Sequence, residues 1–215
     1  MDKWTVNFFD LGAFDGADTA RFFEDMGPLP VTPRAFIAEP NPALAEKCRI
    51  RFAGMPVTVD NLAIASHEGA TTLYLDDCLE GSSIYPGKAR LNGLAVPVGC
   101  SRLMTWAWDV CPRRSAPAIN IIKANIEGAE WDVLRDLQST KAWRFFDIYC
   151  GAAFRAEDMP KCTELRRHVK EARRIIAENI PIVHDFAVPT LAYPRPDTSV
   201  DLGPIVLRIM ETTPH

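Results

Sequence analysis

The chain has 215 residues, of which 47% are hydrophobic, and its 28 acidic and 24 basic residues give a net charge of -4. A chain of this length buries a large core, and we expect a single domain over residues 1–215. The acidic balance argues against a nucleic-acid-binding surface, and no apolar run reaches the length of a membrane-spanning helix. The six cysteines have no metal-binding spacing. They are typical of reduced thiols, so we expect a cytoplasmic protein.

The first quarter of the chain alternates short apolar runs with helical patterns. The runs predict strands at 6–10, 35–38 and 56–59, and the intervening segments predict helices at 17–26 and 42–52. Prolines follow the first helix and open the second, which is where each is tolerated. The βαβαβ order predicts an α/β fold in which helices cover both faces of a parallel sheet.

The remaining elements are predicted from the same periodicities. Residues 76–96 are rich in Gly, Ser, Pro and Asn and predict a loop, which in a compact domain is usually functional. Strands are predicted at 71–75, 118–122, 145–149, 182–186 and 204–210, with one or two more within 95–108, and helices at 130–138 and 156–179.

Acidic residues and glycines mark the ends of the first two strands. Asp10, Gly12 and Gly16 form a DxGxxxG pattern between the first strand and its helix, which is neither the GxGxxG dinucleotide motif nor a P-loop. We expect the glycines to let the backbone pass close under a ligand, and the acid to suit a ligand with positive charge and amines. Glu39 ends the second strand, where an acid holds ribose hydroxyls in nucleotide-binding sheets. Glu39 has an alternative interpretation as an exposed acid that caps the next helix.

Four stretches resemble one family when they are taken in order: FFDLGAFDG, FIAEPNP, VDNLAIASHEGATTLYL and IKANIEGAEWDVL. Together they resemble the FkbM family of S-adenosylmethionine-dependent methyltransferases, over roughly residues 6–138. The resemblance implies a class I methyltransferase (Rossmann-like) fold with a seven-stranded, mostly parallel sheet whose last strand is antiparallel. It also implies an S-adenosylmethionine cofactor, and a small-molecule or glycan substrate that is methylated on a hydroxyl of a sugar or natural product.

The resemblance also implies roles for individual residues. Gly81, Ser82 and Ser83 resemble the substrate-side loop of the family. The motif matches place the methionine end of the cofactor at Asp10, Gly12 and Gly16, its ribose at Glu39, its adenine between Asn61 and Leu62, and the reacting centre at Glu127.

One departure from the family pattern bears on activity. Asn125 stands where the family usually has an acid, and an amide is a poor base and a weaker ligand for a hard cation. We therefore assign no metal ligand, and the sequence does not decide whether a metal is needed. This departure, together with a chain that begins at its first strand, motivates an alternative: a catalytically inactive methyltransferase-like protein with a structural or interaction role. A methyltransferase acting on protein or nucleic acid is a third reading, which the acidic balance disfavours for nucleic acid.

Several residues keep two interpretations. Glu127 is the candidate general base, since a hydroxyl acceptor needs one, but it could equally hydrogen-bond only backbone amides or the substrate. A surface or packing role is favoured over a functional one for three further candidates. They are the possible acid–base residue His67, the possible acid–base pair His184 and Asp185, and the possible sugar-stacking pair Trp106 and Trp108. The oligomeric state is left undetermined by the sequence.

Overall fold

The computed structural model describes residues 4–88, 90–111, 117–151, 183–185 and 201–213. Its strands are β1 (Thr5–Leu11), β2 (Thr32–Ala38), β3 (Val57–Asp60), β4 (Ala63–Ile64), β5 (Gly69–Asp76), β6 (Leu91–Ser101), β7 (Ala118–Ala124), β8 (Ile148–Gly151) and β9 (Val183–Asp185). Its helices are α1 (Ala17–Met26), α2 (Pro42–Arg51), α3 (Leu103–Val110), α4 (Glu130–Thr140) and α5 (Gly203–Thr212), with a short 3-10 helix at Ala142–Phe145.

In the described residues, six strands form one sheet in the order β3-β2-β1-β7-β8-β9. All neighbouring strands in it are parallel. The strand order reverses between β1 and β7, and in open α/β sheets ligands bind in the crevice at such a reversal, beyond the carboxyl ends of the strands. The predicted α/β, Rossmann-like fold is therefore confirmed, although the sheet has six strands in the described residues instead of the expected seven.

Alternate residues of β1 face two different helical layers. Phe8 packs in a buried cluster with Phe22 of α1 and Val206 of α5. Phe9, one residue later, packs in a second cluster with Trp106 of α3 and Leu134 of α4. Because both faces of the sheet are covered, the central strands carry buried residues on both faces rather than alternating buried with exposed ones.

A second, smaller sheet has the order β4-β6-β5, with β5 antiparallel to β6. It encloses its own core, to which β5 contributes Leu73 and β6 contributes Val98. The predicted loop at 76–96 is therefore too long, because Leu91 already pairs with Asp76 and begins β6. The connection between the two strands is the segment 77–90, referred to below as the β5–β6 loop.

Three predicted strands are replaced, wholly or in part, by helix. The prediction of strands within 95–108 is wrong after Ser101, because α3 begins at Leu103, and the strand predicted at 204–210 lies in α5. The segment predicted as a strand from 145 begins instead with the end of the 3-10 helix, and β8 starts at Ile148. The antiparallel last strand is consequently not found in the described residues. The helix predicted at 156–179 lies outside them.

Candidate active site

A cleft opens at the carboxyl edge of the large sheet. Gly12 follows β1, Glu39 follows β2 and Glu127 follows β7, and all three line it. The cleft encloses about 530 Å³ of empty space when its open mouth is included. Its remaining lining is mostly apolar, with contributions from Ala38, Leu44, Ile64, Leu73, Ile84 and Ile126. An apolar cleft with a few convergent polar groups is the usual form of a small-molecule site.

The two glycines of the first loop are required by protein packing. Gly12 has φ +72°, and a Cβ on it would overlap the backbone carbonyl oxygen of Asn125. Gly16 has φ +78°, and a Cβ there would lie 2.6 Å from the ring of Phe52, just after α2. The sequence interpretation assigned both glycines to close approach by a ligand. The structure gives each a second reason, since they let the β1 loop lie against the β7 loop and the end of α2.

Asp10 lies beneath the cleft and is fully buried. Its carboxylate accepts a hydrogen bond from Thr19 Oγ1 at 2.7 Å, and its other oxygen lies 2.9 Å from Lys123 Nζ. The Lys123 ammonium also donates to the Gly12 carbonyl at 2.8 Å and pairs with Asp18 at 3.2 Å. Burial alone would lower the pKa of Lys123, but the two carboxylates outweigh it and raise that pKa. Asp10 therefore supports the loop and is absent from the lining of the cleft, where Gly16 is absent as well.

Glu39 is nearly buried and organises the loops around it. One of its oxygens accepts from the Phe14 amide at 2.9 Å, and the other accepts from the Asn41 amide at 2.9 Å. Burial raises the pKa of Glu39, against the lowering effect of these two amides. The α2 cap is Asn41, whose side chain accepts from the amides of Ala43 and Leu44. Glu39 is thus neither exposed nor the helix cap.

Asn61 and Leu62 lie beside the cleft rather than in its lining. Asn61 Nδ2 donates to the backbone carbonyls of Glu39 and Pro40, both at 2.9 Å, and so ties the end of β3 to the end of β2. Leu62 packs against the cluster that contains Phe9. Their assignment to an adenine ring stays a prediction.

Glu127 is held through its backbone and through one of its two carboxylate oxygens. Its backbone has φ +56°, which is uncommon for a residue other than glycine. Ser83 Oγ donates to its carbonyl at 2.7 Å, and Lys88 Nζ pairs with its Oε2 at 2.6 Å. Within the described residues no hydrogen bond reaches Oε1. Glu127 therefore presents one unengaged carboxylate oxygen at the edge of the cleft.

Glu130 supports this loop from behind. It is buried at the start of α4, and its two oxygens accept from the amides of Ile126 at 2.8 Å and Gly128 at 2.7 Å, on either side of Glu127. Burial, followed by the nearby charge of Glu127, raises the pKa of Glu130 to about 7. Glu130 thus stabilises the left-handed backbone of Glu127, and it does not itself line the cleft.

Asn125 supplies an unsatisfied acceptor at the strand-order reversal. It lines the cleft between Gly12 and Glu127, and its Oδ1 is buried without a hydrogen-bond partner among the described residues. A buried polar atom without a partner is costly, so native proteins usually satisfy it with water or a ligand. The amide oxygen accordingly suits a ligand that brings a hydrogen-bond donor.

A protein-family model matches most of the chain. The family model for the methyltransferase FkbM domain matches residues 10–176, which is most of the chain and includes every residue that lines the cleft. The chain belongs to the FkbM methyltransferase family.

One solved FkbM methyltransferase resembles the chain at low identity. It is the crystal structure of methyltransferase FkbM from Methylobacillus flagellatus KT, with 14% sequence identity and a TM-score of 0.46. The match covers 84% of this chain and 38% of that one, so this chain spans well under half the length of that protein. No curated protein matches the chain.

The sequence interpretation of this FkbM chain missed the residues that hold Glu127. Ser83 lies in the GSS stretch singled out above, but Lys88 and Tyr85 carried no signal because their partners are more than 35 residues away. Tyr85 donates from its hydroxyl to Asp132 Oδ2 at 2.6 Å. Sequence spacing within a loop cannot reveal such pairings, since they form only when the loop folds back on α4.

The remaining sequence candidates whose side chains are described are absent from the lining of the cleft. Trp106 is buried and donates from its indole to Asp60 at 2.7 Å, whereas Trp108 is 42% exposed. They lie on helix α3, so the strand predicted over their positions is wrong. His67 is exposed in the turn before β5, as its surface interpretation predicted. His184 and Asp185 lie in β9, and their side chains fall outside the described ones.

Two kinds of feature are absent from the described residues. No described helix is long and apolar enough to cross a membrane. In the same residues, no group of three or more His, Cys, Asp or Glu side chains could hold a metal ion.

Proposed function

We propose that the chain is an S-adenosylmethionine-dependent methyltransferase that methylates a hydroxyl of a small-molecule or glycan acceptor. Membership of the FkbM family supports this class of reaction. The observation that carries the proposal is that Gly12, Glu39 and Glu127 line one cleft at the carboxyl edge of the sheet. Three motifs that lie far apart in the sequence therefore contribute to a single site.

The residues present fit the cofactor at two places. Each Glu39 oxygen accepts one backbone amide, which leaves lone pairs for the hydroxyls of a ribose. No donor reaches Asn125 Oδ1 among the described residues, and the ammonium of the methionine end would provide one. Asp10 is not placed to compete for that ammonium, because it is fully buried and absent from the lining of the cleft.

The chain's own contribution to the reaction is to position the acceptor and to take its proton. When bound, S-adenosylmethionine supplies a methyl group on a positively charged sulfur that serves as the leaving group. A hydroxyl is a weak nucleophile, so a base within hydrogen-bond reach of its proton accelerates the transfer. Glu127 Oε1 is the oxygen placed for that role, because Lys88 occupies Oε2.

The test is methyl transfer to a panel of monosaccharides, glycosides and phenols, followed by mass spectrometry of the products. We expect a methylated hydroxyl in at least one compound, and we expect Glu127→Gln to lower kcat about 100-fold. Glu80→Gln is the matched control, since Glu80 also lines the cleft but makes no ion pair in the described residues. An unchanged rate in Glu127→Gln would remove the base assignment.

A catalytically inactive relative is the second candidate. The observations that favour it are the amide at Asn125 and the pairing of Glu127 with Lys88. Such a protein would bind the cofactor without turnover on any member of the panel. The enzyme would bind the cofactor and also methylate a member of the panel.

A further inference from the structure

The β5–β6 loop is a compact unit that folds onto the loop after β7. Its ends meet where Asp76 pairs with Leu91. Two side chains from it reach the segment that contains Glu127, since Ser83 donates to the Glu127 carbonyl and Lys88 pairs with the Glu127 carboxylate. The loop also contributes Leu79, Glu80, Ser82 and Ile84 to the lining of the cleft. One wall of the cleft is therefore attached directly to the candidate base.

Lys88 is itself fixed in place. Its side chain is only 9% exposed, and its ammonium donates to the Gly81 carbonyl at 2.6 Å while it pairs with Glu127 at 2.6 Å. Gly81 has no side chain, and a Cβ there would lie 2.7 Å from Asp76 Oδ2 and 3.1 Å from Lys88 Nζ. The glycine of the GSS stretch thus leaves the space that the lysine ammonium needs.

We propose that Lys88 is a positioning residue of the methyl-transfer site, which fixes the Glu127 carboxylate through Oε2 and cancels its charge toward the cofactor. This inference rests on the proposed function. An unpaired carboxylate at this edge of the cleft would attract the sulfonium and hold the cofactor before reaction. A carboxylate paired through one oxygen keeps the other for the acceptor hydroxyl without adding a net charge to the site.

The charge part of the proposal can be measured without knowing the acceptor. S-adenosylmethionine carries a positive sulfur, and S-adenosylhomocysteine has a neutral sulfur in the same place. The ratio of their affinities therefore reports the net charge near the methyl group. Calorimetric titration of both compounds into the full chain gives this ratio for the wild type and for each variant.

Four variants distinguish an effect of charge on this affinity ratio from an effect on folding. Lys88→Met leaves Glu127 unpaired, and we expect it to raise the preference for S-adenosylmethionine about tenfold. Glu127→Gln leaves the ammonium unpaired, and we expect it to lower the preference about tenfold. Lys88→Arg keeps the charge and should stay within about twofold of the wild type. The double variant Lys88→Met/Glu127→Gln has the same net charge as the wild type, so we expect the ratio to return close to the wild-type value. Thermal unfolding of each variant confirms that it is folded.

Two results would overturn the proposal. One is an affinity ratio that stays within about twofold in both single charge variants while the wild type binds both compounds. The other is an equal change in Lys88→Met and Lys88→Arg, which would point to loop packing instead of charge. A wild type that binds neither compound would contradict the cofactor assignment itself, and this outcome is distinct from the other two.

Discussion

Lys123 and Asp10 face each other across the two central strands, in register, with Nζ and Oδ1 2.9 Å apart. Both side chains are buried, and the same ammonium reaches the Gly12 carbonyl in the loop that follows β1. The acid of the DxGxxxG pattern is thus neutralised from within the protein. Asp10 holds the Gly12 loop in place, whereas Glu39 and Glu127 line the cleft itself.

Removal of the lysine from this pair should destabilise the protein strongly. We expect Lys123→Met to lower the free energy of unfolding by about 3–5 kcal/mol, because it leaves Asp10 buried without its counter-ion. Lys47→Met, at an exposed position of α2, is the control and should change it by less than about 0.5 kcal/mol. Urea unfolding measures both. Equal stability of the two variants would contradict the structural role of the pair.

The close approach at the strand-order reversal predicts a contrast between two glycines. In Gly12→Ala the alanine must adopt a left-handed backbone, and its Cβ overlaps the Asn125 carbonyl. We therefore expect the free energy of unfolding to fall by about 3–5 kcal/mol. Gly54 has a similar φ of +81° but no atom within 4 Å of a built Cβ. Gly54→Ala should therefore cost only about 1 kcal/mol. Chemical denaturation of both variants tests the contrast, and similar losses would show that backbone strain alone is at work.

The raised pKa of Glu130 predicts that the stability of the protein depends on pH. Its folded pKa of about 7 lies above the ordinary value of 4.5, so the folded state keeps a proton that the unfolded state loses. The stability that this group contributes is present below pH 4.5 and falls as the pH rises toward 7. Relative to Glu130→Gln, the free energy of unfolding of the wild type should fall by about 3 kcal/mol between pH 4.5 and 7. Urea unfolding at the two pH values checks this, with exposed Glu46→Gln as the control. A constant difference would exclude the shift.

The unpartnered Asn125 oxygen predicts opposite effects on stability and binding. In Asn125→Leu the buried acceptor is gone, so the free energy of unfolding should be unchanged or up to about 1 kcal/mol higher. The affinity for S-adenosylhomocysteine should fall about tenfold, whereas 5′-methylthioadenosine, which lacks the amino-acid end, should bind within about twofold of the wild type. Calorimetry with both ligands measures the difference. An equal loss for the two ligands would mean that the variant distorts the whole cleft.

The first half of the fold was predictable because local patterns and tertiary packing agree there. The helix predicted at 17–26 and the apolar strands on either side of it match α1, β1 and β2 closely. Further on, tertiary contacts override local preference. The tryptophans of α3 favour a strand, but the Met104 amide at its start donates to Asp136 of α4, and Trp106 enters the core. Strand β6 contains Gly93 and Pro97 and forms because β5 pairs with it.

The candidate site was predictable only in part. Gly12, Glu39 and Glu127 could be placed together because each follows a strand of a parallel sheet, and such strand ends share one edge. The engagement of Asp10 by Lys123 depends on the register of β1 and β7, which periodicity does not give. The pairing of Lys88 with Glu127 depends on how the β5–β6 loop folds back, and no spacing in the sequence encodes it.

The cofactor assignment of Glu39 is tested most directly by calorimetric titration with S-adenosylhomocysteine. The wild type and Glu46→Gln, an exposed change on α2, should bind with micromolar affinity. Glu39→Gln removes the charge and places an NH2 group against one of two backbone amides, so we expect its binding to weaken at least 100-fold. Wild-type affinity in Glu39→Gln, or no binding by the wild type, would contradict the proposal that this cleft holds S-adenosylmethionine.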